Sequence, residues 1–329
     1  MSIPRRAAFA LPALALPGLA RAQAGFPSRT VRIVVPIAAG GANDLIARML
    51  AERLAPVLHQ NVVVENRPGA GGNIGGQSVV QAEKDGHTVL LTSANVITAN
   101  TYLYGARMPF QPLRDLAPVT NIGTGTLLMI CNSRAPWKTF AELLAHAKAN
   151  PGKVSMGSSG TGTISHLYME KVKRAAGVDI THVPYRGGGP AFADLLAGNI
   201  DIMFDVIPAM LPHIREGRFR PLLAGSAGRI DYVPELRDVP GMDEALPGKG
   251  IDALNFWCMV APAGTPAPVL ATLNQAIGDL LRGEELRRKL LDLTILAAPS
   301  ASPDAFGAFW RAQDAIWKEL VVESGATAE

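Results

Sequence analysis

The chain has 329 residues, of which 48% are hydrophobic and 18% charged, and its formal net charge is +3. This length fits about two domains, and the composition excludes a disordered chain. Three of the 31 basic side chains (Arg5, Arg6 and Arg21) lie in residues 1–24, which contain no acid, so residues 25–329 carry 28 basic and 28 acidic side chains. A neutral body lacks the cationic excess that nucleic-acid binding requires.

The first 24 residues have the order of a secretory signal peptide. Arg5 and Arg6 precede an apolar run over residues 7–16, and the segment ends in Ala22-Gln23-Ala24. The run is shorter than the ~20 apolar residues of a membrane-spanning helix. We therefore expect export with cleavage after Ala24, by either the general secretory or the twin-arginine route.

Short apolar runs rich in β-branched residues recur along the chain, with helix-like segments between them. They occupy residues 31–37, 62–65, 89–92, 127–131, 154–157, 180–183 and 202–204. Runs without polar alternation are typical of strands covered by helices on both faces. The sequence therefore predicts an α/β fold with mainly parallel sheets.

Capping residues and periodicity predict the helices between these strands. Asn43 and Asp44 open a helix whose apolar stripe is formed largely by Leu45, Met49, Leu50, Leu54, Val57 and Leu58. Thr163 or Ser165 opens a second helix that ends at Gly177. A third contains Pro190 in its first turn and ends at Gly198.

Two or three further helices are predicted over residues 266–292 and 303–324. The last of them carries apolar residues at helical spacing, which indicates core packing: Phe306, Phe309, Trp310, Ile316, Trp317 and Leu320.

Two loop-rich stretches, residues 102–115 and 227–250, are the best places for the chain to cross between lobes. We expect one discontinuous lobe, residues 25–103 with 227–329, and a second over residues 104–226. Cys131 and Cys258 lie in strand-like runs, so we interpret them as buried thiols; a disulfide is the less favoured alternative.

Two loops of small residues each follow a predicted strand and precede a predicted helix. One covers residues 36–44 and the other residues 157–163. At the carboxyl ends of parallel strands, such loops present backbone N–H groups, hydroxyls and a helix N-terminus to an anion. Either loop alone favours an ordinary glycine turn, but one in each lobe indicates a ligand site in a cleft.

A third glycine cluster, residues 69–76, has the wrong spacing for a dinucleotide fingerprint, and we interpret it as a tight turn between a strand and a helix. The sequence has no Walker A motif, no G-x-S-x-G elbow and no metal-binding histidine spacing, so we expect neither a cofactor nor a metal.

Several polar residues near these loops have two interpretations. His166 either donates to a bound carboxylate or caps its helix, and Asp205 either contacts a ligand or caps the segment after it. Arg186, after Tyr185, either steers anions or pairs with a surface acid. A hydrolase using His166 with Ser158 or Ser159 is an alternative function.

The same segments resemble a known family. VRIVVPIAAGGANDLIARMLAERL, VVVENRPGAGGNIGG, GSSGTGTISHLYMEK and THVPYRGGGPAFADLLAGNIDIMFD, in this order, are similar to the periplasmic solute receptors of tripartite tricarboxylate transporters, the Bug-type family. The resemblance implies a two-lobed class II periplasmic-binding-protein fold that closes on a small organic anion. It also implies delivery to two integral-membrane subunits by a periplasmic, monomeric receptor that is not an enzyme. An anion-sensing receptor for a signalling partner is the other alternative.

Carried onto this chain, the resemblance implies a ligand site in which the two lobes contribute separate residues. The first lobe gives Ala38, Ala39, Gly40, Gly41, Asp44, Ser93 and Asn95. The second lobe gives Ser158, Ser159, Thr161, Gly162, Thr163 and His166, with Tyr185 and Asp205 as outer members. The chain departs from the family pattern at Ile37, His87 and Cys258, and Ile37 replaces a frequent aromatic beside the pocket.

Overall fold

A computed structural model describes residues 25–185 and 187–327 of the chain. The predicted signal peptide over residues 1–24 and the predicted anion-steering residue Arg186 therefore lie outside the described residues.

Ten strands form within these ranges. They are β1 (Val31–Val35), β2 (Val62–Asn66), β3 (Thr88–Ser93), β4 (Leu116–Asn132), β5 (Ser155–Ser158), β6 (Thr181–Pro184), β7 (Ile202–Val206), β8 (Phe219–Ala224), β9 (Leu254–Pro262) and β10 (Leu296–Ala297).

Thirteen α-helices form within the same ranges. They are α1 (Ala42–Leu58), α2 (Asn73–Val80), α3 (Ala94–Ile97), α4 (Ala99–Tyr104), α5 (Pro112–Asp115), α6 (Phe140–Ala149), α7 (Ile164–Ala176), α8 (Gly188–Ala197), α9 (Leu211–Arg215), α10 (Met242–Ala245), α11 (Ala267–Arg282), α12 (Glu284–Asp292) and α13 (Pro303–Ser324).

The strands join in the order β2-β1-β3-β9-β4-β7-β5-β6, and β8 and β10 also pair with β4. We call β2, β1, β3 and β9 the β1 half, and β7, β5, β6 and β8 the β5 half. The outer strands pair in parallel, as predicted, whereas β9 and β4 run antiparallel to their partners. The first part of the 17-residue β4 pairs with β9 and its last part with β7 and β8, so β4 connects the two halves.

The apolar stripe of α1 differs from the predicted one. Ile46, Leu50, Leu54 and Leu58 are buried against the sheet, whereas Leu45 and Val57 are 41% and 47% exposed. The buried stripe follows i, i+4 spacing from Ile46, because the helix turns that row towards the sheet.

Helix α13 begins at the cap of Ser302, whose hydroxyl accepts the Ala305 N–H at 3.1 Å, and ends at Gly325 in the left-handed conformation. Phe306, Trp310, Trp317 and Leu320 are buried, as predicted, and the helix contacts β4, α4 and α7. Ile316, which the sequence pattern assigns to this set, is 42% exposed because it lies about 120° around the helix from Trp310.

Cys131 and Cys258 are both fully buried and unbonded, which confirms the interpretation as buried thiols. No helix in the described ranges is long and apolar enough to cross a membrane. Among the same residues, no three His, Cys, Asp or Glu side chains come together as a metal site.

Candidate functional site

A cavity of about 360 Å³ lies between the two halves of the sheet, at the carboxyl ends of β3, β5 and β6. From the β1 half it is lined by Gly71, Asn95, Asn100, Leu103 and Tyr104. From the β5 half it is lined by Gly160, Thr161, Gly162, Thr163, Pro184 and Tyr185. All eleven are uncharged, so the described lining offers a ligand neutral hydrogen-bonding groups and apolar contacts.

The loop after β5 leads directly into α7. Gly160 and Gly162 have φ angles of +138° and +76°, which side chains with a Cβ rarely adopt. Thr163 precedes the helix without capping it, since its hydroxyl donates instead to the Gly160 carbonyl at 2.7 Å. The first-turn N–H groups of α7 therefore have no side-chain cap, which is the arrangement that binds anions.

His166 holds the loop after β5 by a hydrogen bond to its backbone. Its Nδ1 accepts the Gly162 N–H at 3.1 Å, so the ring carries its proton on Nε2. Burial lowers the pKa of His166, and the ring is therefore neutral near pH 7. It is 8% exposed and does not line the cavity, so His166 holds the loop before α7 and does not contact a ligand from the cavity wall.

A second histidine, which the sequence analysis did not single out, stacks on the first. The rings of His166 and His182 are 4.0 Å apart and nearly parallel. His182 Nε2 lies 2.6 Å from the hydroxyl of Ser158, so His182 and not His166 is the histidine beside that serine. Burial, with smaller contributions from His166 and Lys173, lowers the pKa of His182 to about 4.

Asp205 lies beneath the same loop at the end of β7. Its Oδ1 accepts the Val206 N–H at 2.8 Å, and its buried Oδ2 accepts no hydrogen bond of good geometry from the described residues. Burial raises the pKa of Asp205, an effect that the Val206 N–H and the nearby hydroxyls of Ser165 and Ser159 reduce. Asp205 is 5% exposed and is not part of the cavity wall.

Tyr185 contributes its ring to the cavity while its hydroxyl is engaged elsewhere. The hydroxyl donates to Asp194 at 2.6 Å, and Asn199 donates to the same carboxylate. Partial burial and the bond to Asp194 raise the pKa of Tyr185 to about 12. Tyr185 therefore offers an apolar face to the cavity.

The loop after β1 is not part of the cavity wall. Ala38, Ala39 and Gly40 are exposed, and a Cβ on Gly41 would meet Ile37 at 2.6 Å. Asp44 is buried and already bonded, since it accepts the Gly40 N–H at 2.9 Å, Asn66 at 3.0 Å and Arg48 at 3.0 Å. Burial opposes its ionisation, but these bonds prevail and lower the pKa of Asp44. Through these bonds, Asp44 holds the loop after β1 in place.

Ser93 and Asn95 act as a unit at the end of β3. The Ser93 hydroxyl donates to Asn95 Oδ1 at 2.9 Å, and Asn43 approaches the same hydroxyl at 3.5 Å. Trp257 fixes Asn43 by donating to its Oδ1 at 2.9 Å. This bond orients Asn95 so that its N–H₂ group, which has no hydrogen-bond partner in the described part of the chain, can donate to an anion.

Sequence reasoning missed the wall formed by Gly71, Asn100, Leu103 and Tyr104. The glycine cluster does make the predicted turn, with a 3₁₀ segment over Ala70–Gly72 followed by α2, but Gly71 also faces the cavity. The glycine run was a usable signal for Gly71. The residues of α4 carry no such signal, because long-range contacts, including packing against α13, bring them to the cleft.

A two-lobed α/β fold with an uncharged cleft at the strand ends is that of a periplasmic solute-binding protein. Residues 46–321 match the family model described as "Tripartite tricarboxylate transporter family receptor". The chain belongs to this family, which confirms the resemblance and the fold inferred from the sequence.

Three similar proteins illustrate the family. The protein BugT of Bordetella pertussis is 33% identical over 92% of this chain and 91% of its own. The structure "R. palustris Rpa4515 with adipate" is 30% identical with a TM-score of 0.82, covering 92% of this chain and 99% of that one. The structure of MatC from Rhodopseudomonas palustris "with bound malate" is 30% identical with a TM-score of 0.77, covering 90% and 100%.

Proposed function

We propose that this receptor captures a small carboxylate in the cleft and delivers it to a membrane transporter. The observation that carries the proposal is the cavity of about 360 Å³ beside the uncapped start of α7, whose described lining residues are all uncharged. A charge-assisted hydrogen bond contributes ~1.5–3 kcal/mol and a helix dipole up to ~2 kcal/mol. A few such contacts reach the ~8 kcal/mol of a micromolar site after binding costs are subtracted.

The proposed contacts fall into two groups. Asn95, Thr161, Gly162, Thr163 and Tyr185 contact the ligand directly, since they line the cavity. The other residues of the cleft hold these contacts in place: Ser93, Ser158, Ser159, His166 and Asp205. The backbone at Ala38, Ala39 and Gly41 adds a second contact when the two halves close, and Asp44 holds their loop by accepting the Gly40 N–H. The adipate and malate named in the two related structures support a carboxylate as the ligand.

Capture without chemical conversion is part of the proposal. A serine nucleophile must reach its substrate, and Ser158, which has a histidine nitrogen within reach, is fully buried. Ser159 is paired with the Ser165 hydroxyl at 3.5 Å and has no histidine partner among the described residues.

The remaining features of the proposal concern processing and assembly. The chain is exported and cleaved after Ala24, works as a monomer in the periplasm, and presents its closed form to two integral-membrane subunits. Residues 104–226 were expected to form the second lobe. The pairing of β4 supports a first crossing within that strand, near residues 126–127, and a second crossing between β8 and β9.

A thermal-shift screen of the mature protein tests the proposal. The library contains mono-, di- and tricarboxylates with their amides, and one or a few members raise the unfolding temperature. Gly162→Glu places a carboxylate against the cavity and removes the response. Gly177→Glu is the matched control, because Gly177 also has a positive φ but nothing within 4 Å of its Cβ position. A library without any stabilising acid overturns the proposal.

A further inference from the structure

The orientation of Asn100 is fixed by its hydrogen bonds. Its Nδ2 donates to the Gly71 carbonyl at 3.0 Å and to Asn73 Oδ1 at 2.7 Å. A carbonyl only accepts, so the amide nitrogen must face Gly71. Both N–H groups are used by these two bonds. The group that Asn100 has left for the cavity is therefore Oδ1, an acceptor.

Tyr104 lies one helical turn beyond Asn100 and faces the same cavity. A Cβ on Gly71 would be 2.9 Å from the Tyr104 hydroxyl, so this glycine leaves room for the phenol beside the Asn100 amide. The Tyr104 hydroxyl has no hydrogen-bond partner within residues 25–185 and 187–327. The Tyr104 hydroxyl can donate one hydrogen bond and can also accept one, whereas the neighbouring Asn100 Oδ1 can only accept.

The cavity is therefore polarised between its two walls. On the α7 side, an anion meets the uncapped helix N-terminus, and Asn95 presents its N–H₂ group from the β1 half. On the α4 side, a ligand meets the Asn100 acceptor and a single neutral hydroxyl. None of the lining residues within 25–185 and 187–327 carries a positive charge that would compensate a second carboxylate there. Desolvating an ionised group beside an acceptor is unfavourable.

We propose that the α4 wall selects a ligand whose far end is a hydrogen-bond donor, a carboxamide or a hydroxyl, over the matched dicarboxylate. This inference rests on the proposed function, in which the first carboxylate binds at α7. A carboxamide N–H₂ donates to Asn100 Oδ1 while its carbonyl accepts from Tyr104, and a hydroxyl satisfies the same pair. A site that pairs polar groups in this way discriminates strongly against a ligand that leaves them unpaired.

Calorimetric titration at pH 7 with chain-length-matched pairs tests the inference. The probes are succinate against succinamate and glutarate against glutaramate, with butyrate and pentanoate as monocarboxylates without a polar far end. The expected result is at least tenfold tighter binding of the monoamide than of the dicarboxylate in one pair. Equal binding, or tighter binding of the dicarboxylate in both pairs, overturns the inference and leaves the proposed function intact. Absence of binding by every probe and by the wider acid library overturns both.

The variant Tyr104→Phe distinguishes the contribution of the α4 wall to ligand affinity from that of the rest of the cleft. The variant keeps the ring, so folding is preserved, and it weakens monoamide binding severalfold while leaving the monocarboxylates unchanged. Tyr102→Phe is the matched control, since the Tyr102 hydroxyl donates to Asp314 and lies outside the cavity wall. An unchanged monoamide affinity in Tyr104→Phe contradicts the assignment of this wall.

Discussion

Leu103 occupies the space that a side chain on Gly162 would need. A Cβ at Gly162 would lie 2.8 Å from Leu103 Cδ1, across the cleft. The two halves therefore meet through a glycine and a leucine that both line the ligand cavity. This contact couples the geometry of the α7 loop to that of the α4 wall.

Gly162→Ala should weaken ligand binding beyond its effect on folding. A Cβ at positive φ costs about 1–2 kcal/mol of stability, and the methyl also displaces Leu103 within the cavity. Gly177→Ala should lose similar stability without losing affinity, because its Cβ position is open. Calorimetry on both variants and on Gly162→Ala with Leu103→Ala measures the coupling. Equal affinity losses at both glycines would contradict it.

Ser93→Ala should reduce ligand affinity severalfold with little change in stability. The substitution removes the hydroxyl that holds Asn95 Oδ1, so the Asn95 amide no longer keeps its N–H₂ group towards the ligand. Ser78→Ala is the control, since that half-buried hydroxyl donates to the Gly75 carbonyl away from the cavity. The two affinities and two unfolding midpoints are compared. Similar ligand affinities in the two variants would show that Ser93 does not orient Asn95 for binding.

Stability should decrease as the pH falls from 6.5 towards 4, partly because of His182. Its pKa is about 4 in the folded chain and near 6.5 when unfolded, so the unfolded state binds more protons in this window. One such group gives a slope of up to ~1.4 kcal/mol per pH unit. The lowered pKa of His166 acts in the same direction, whereas the raised pKa of Asp205 acts in the opposite one.

His182→Gln isolates the contribution of that ring. Denaturant unfolding between pH 4.5 and 7 should give a shallower slope for the variant than for the wild type. His59→Asn controls for the loss of a histidine, because His59 is exposed at the left-handed end of α1, a conformation that Asn tolerates. If the slopes of wild type and His182→Gln coincide, the neutral, half-buried ring of His182 does not account for the pH dependence.

Sequence patterns located the fold and half of the cleft. The loop over residues 157–163 could be predicted because a second loop of small residues follows a strand in the other lobe, and two such loops indicate a ligand site. The position of α1 and three members of its buried row (Leu50, Leu54 and Leu58) could also be predicted, but the helix carries apolar residues on two adjacent rows. Leu45 and Val57 were assigned to the buried row on that ambiguity.

The α4 wall was beyond sequence reasoning for a different reason. Asn100 and Tyr104 occupy a short helix of ordinary composition, and their place in the cleft depends on long-range packing. The Trp310 indole N–H, for example, donates to the Ile97 carbonyl at 3.0 Å, just before α4. The ion pair of Asp44 with Arg48 does have a local signal in the sequence, because Arg48 lies at i+4 on the same helix.

Trp310→Ala should cost about 3–5 kcal/mol of stability, the usual range for removing a buried aromatic side chain. The loss combines a cavity in the core with an unpaired Ile97 carbonyl. Ile316→Ala, on the exposed side of the same helix, should change stability by less than about 0.5 kcal/mol. Urea unfolding of both variants checks the pair. A similar loss in each would mean that α13 is packed by a different face.

The amide spectrum of the protein tests carboxylate capture most directly. An acid that stabilises the wild type is titrated into ¹⁵N-labelled mature protein. The largest shift changes should fall on the backbone amides of residues 160–166 and on the side-chain amide of Asn95, because these groups surround the proposed anion position. Unchanged signals at those positions, with saturable changes elsewhere on the molecule, would contradict the capture of a carboxylate at the start of α7.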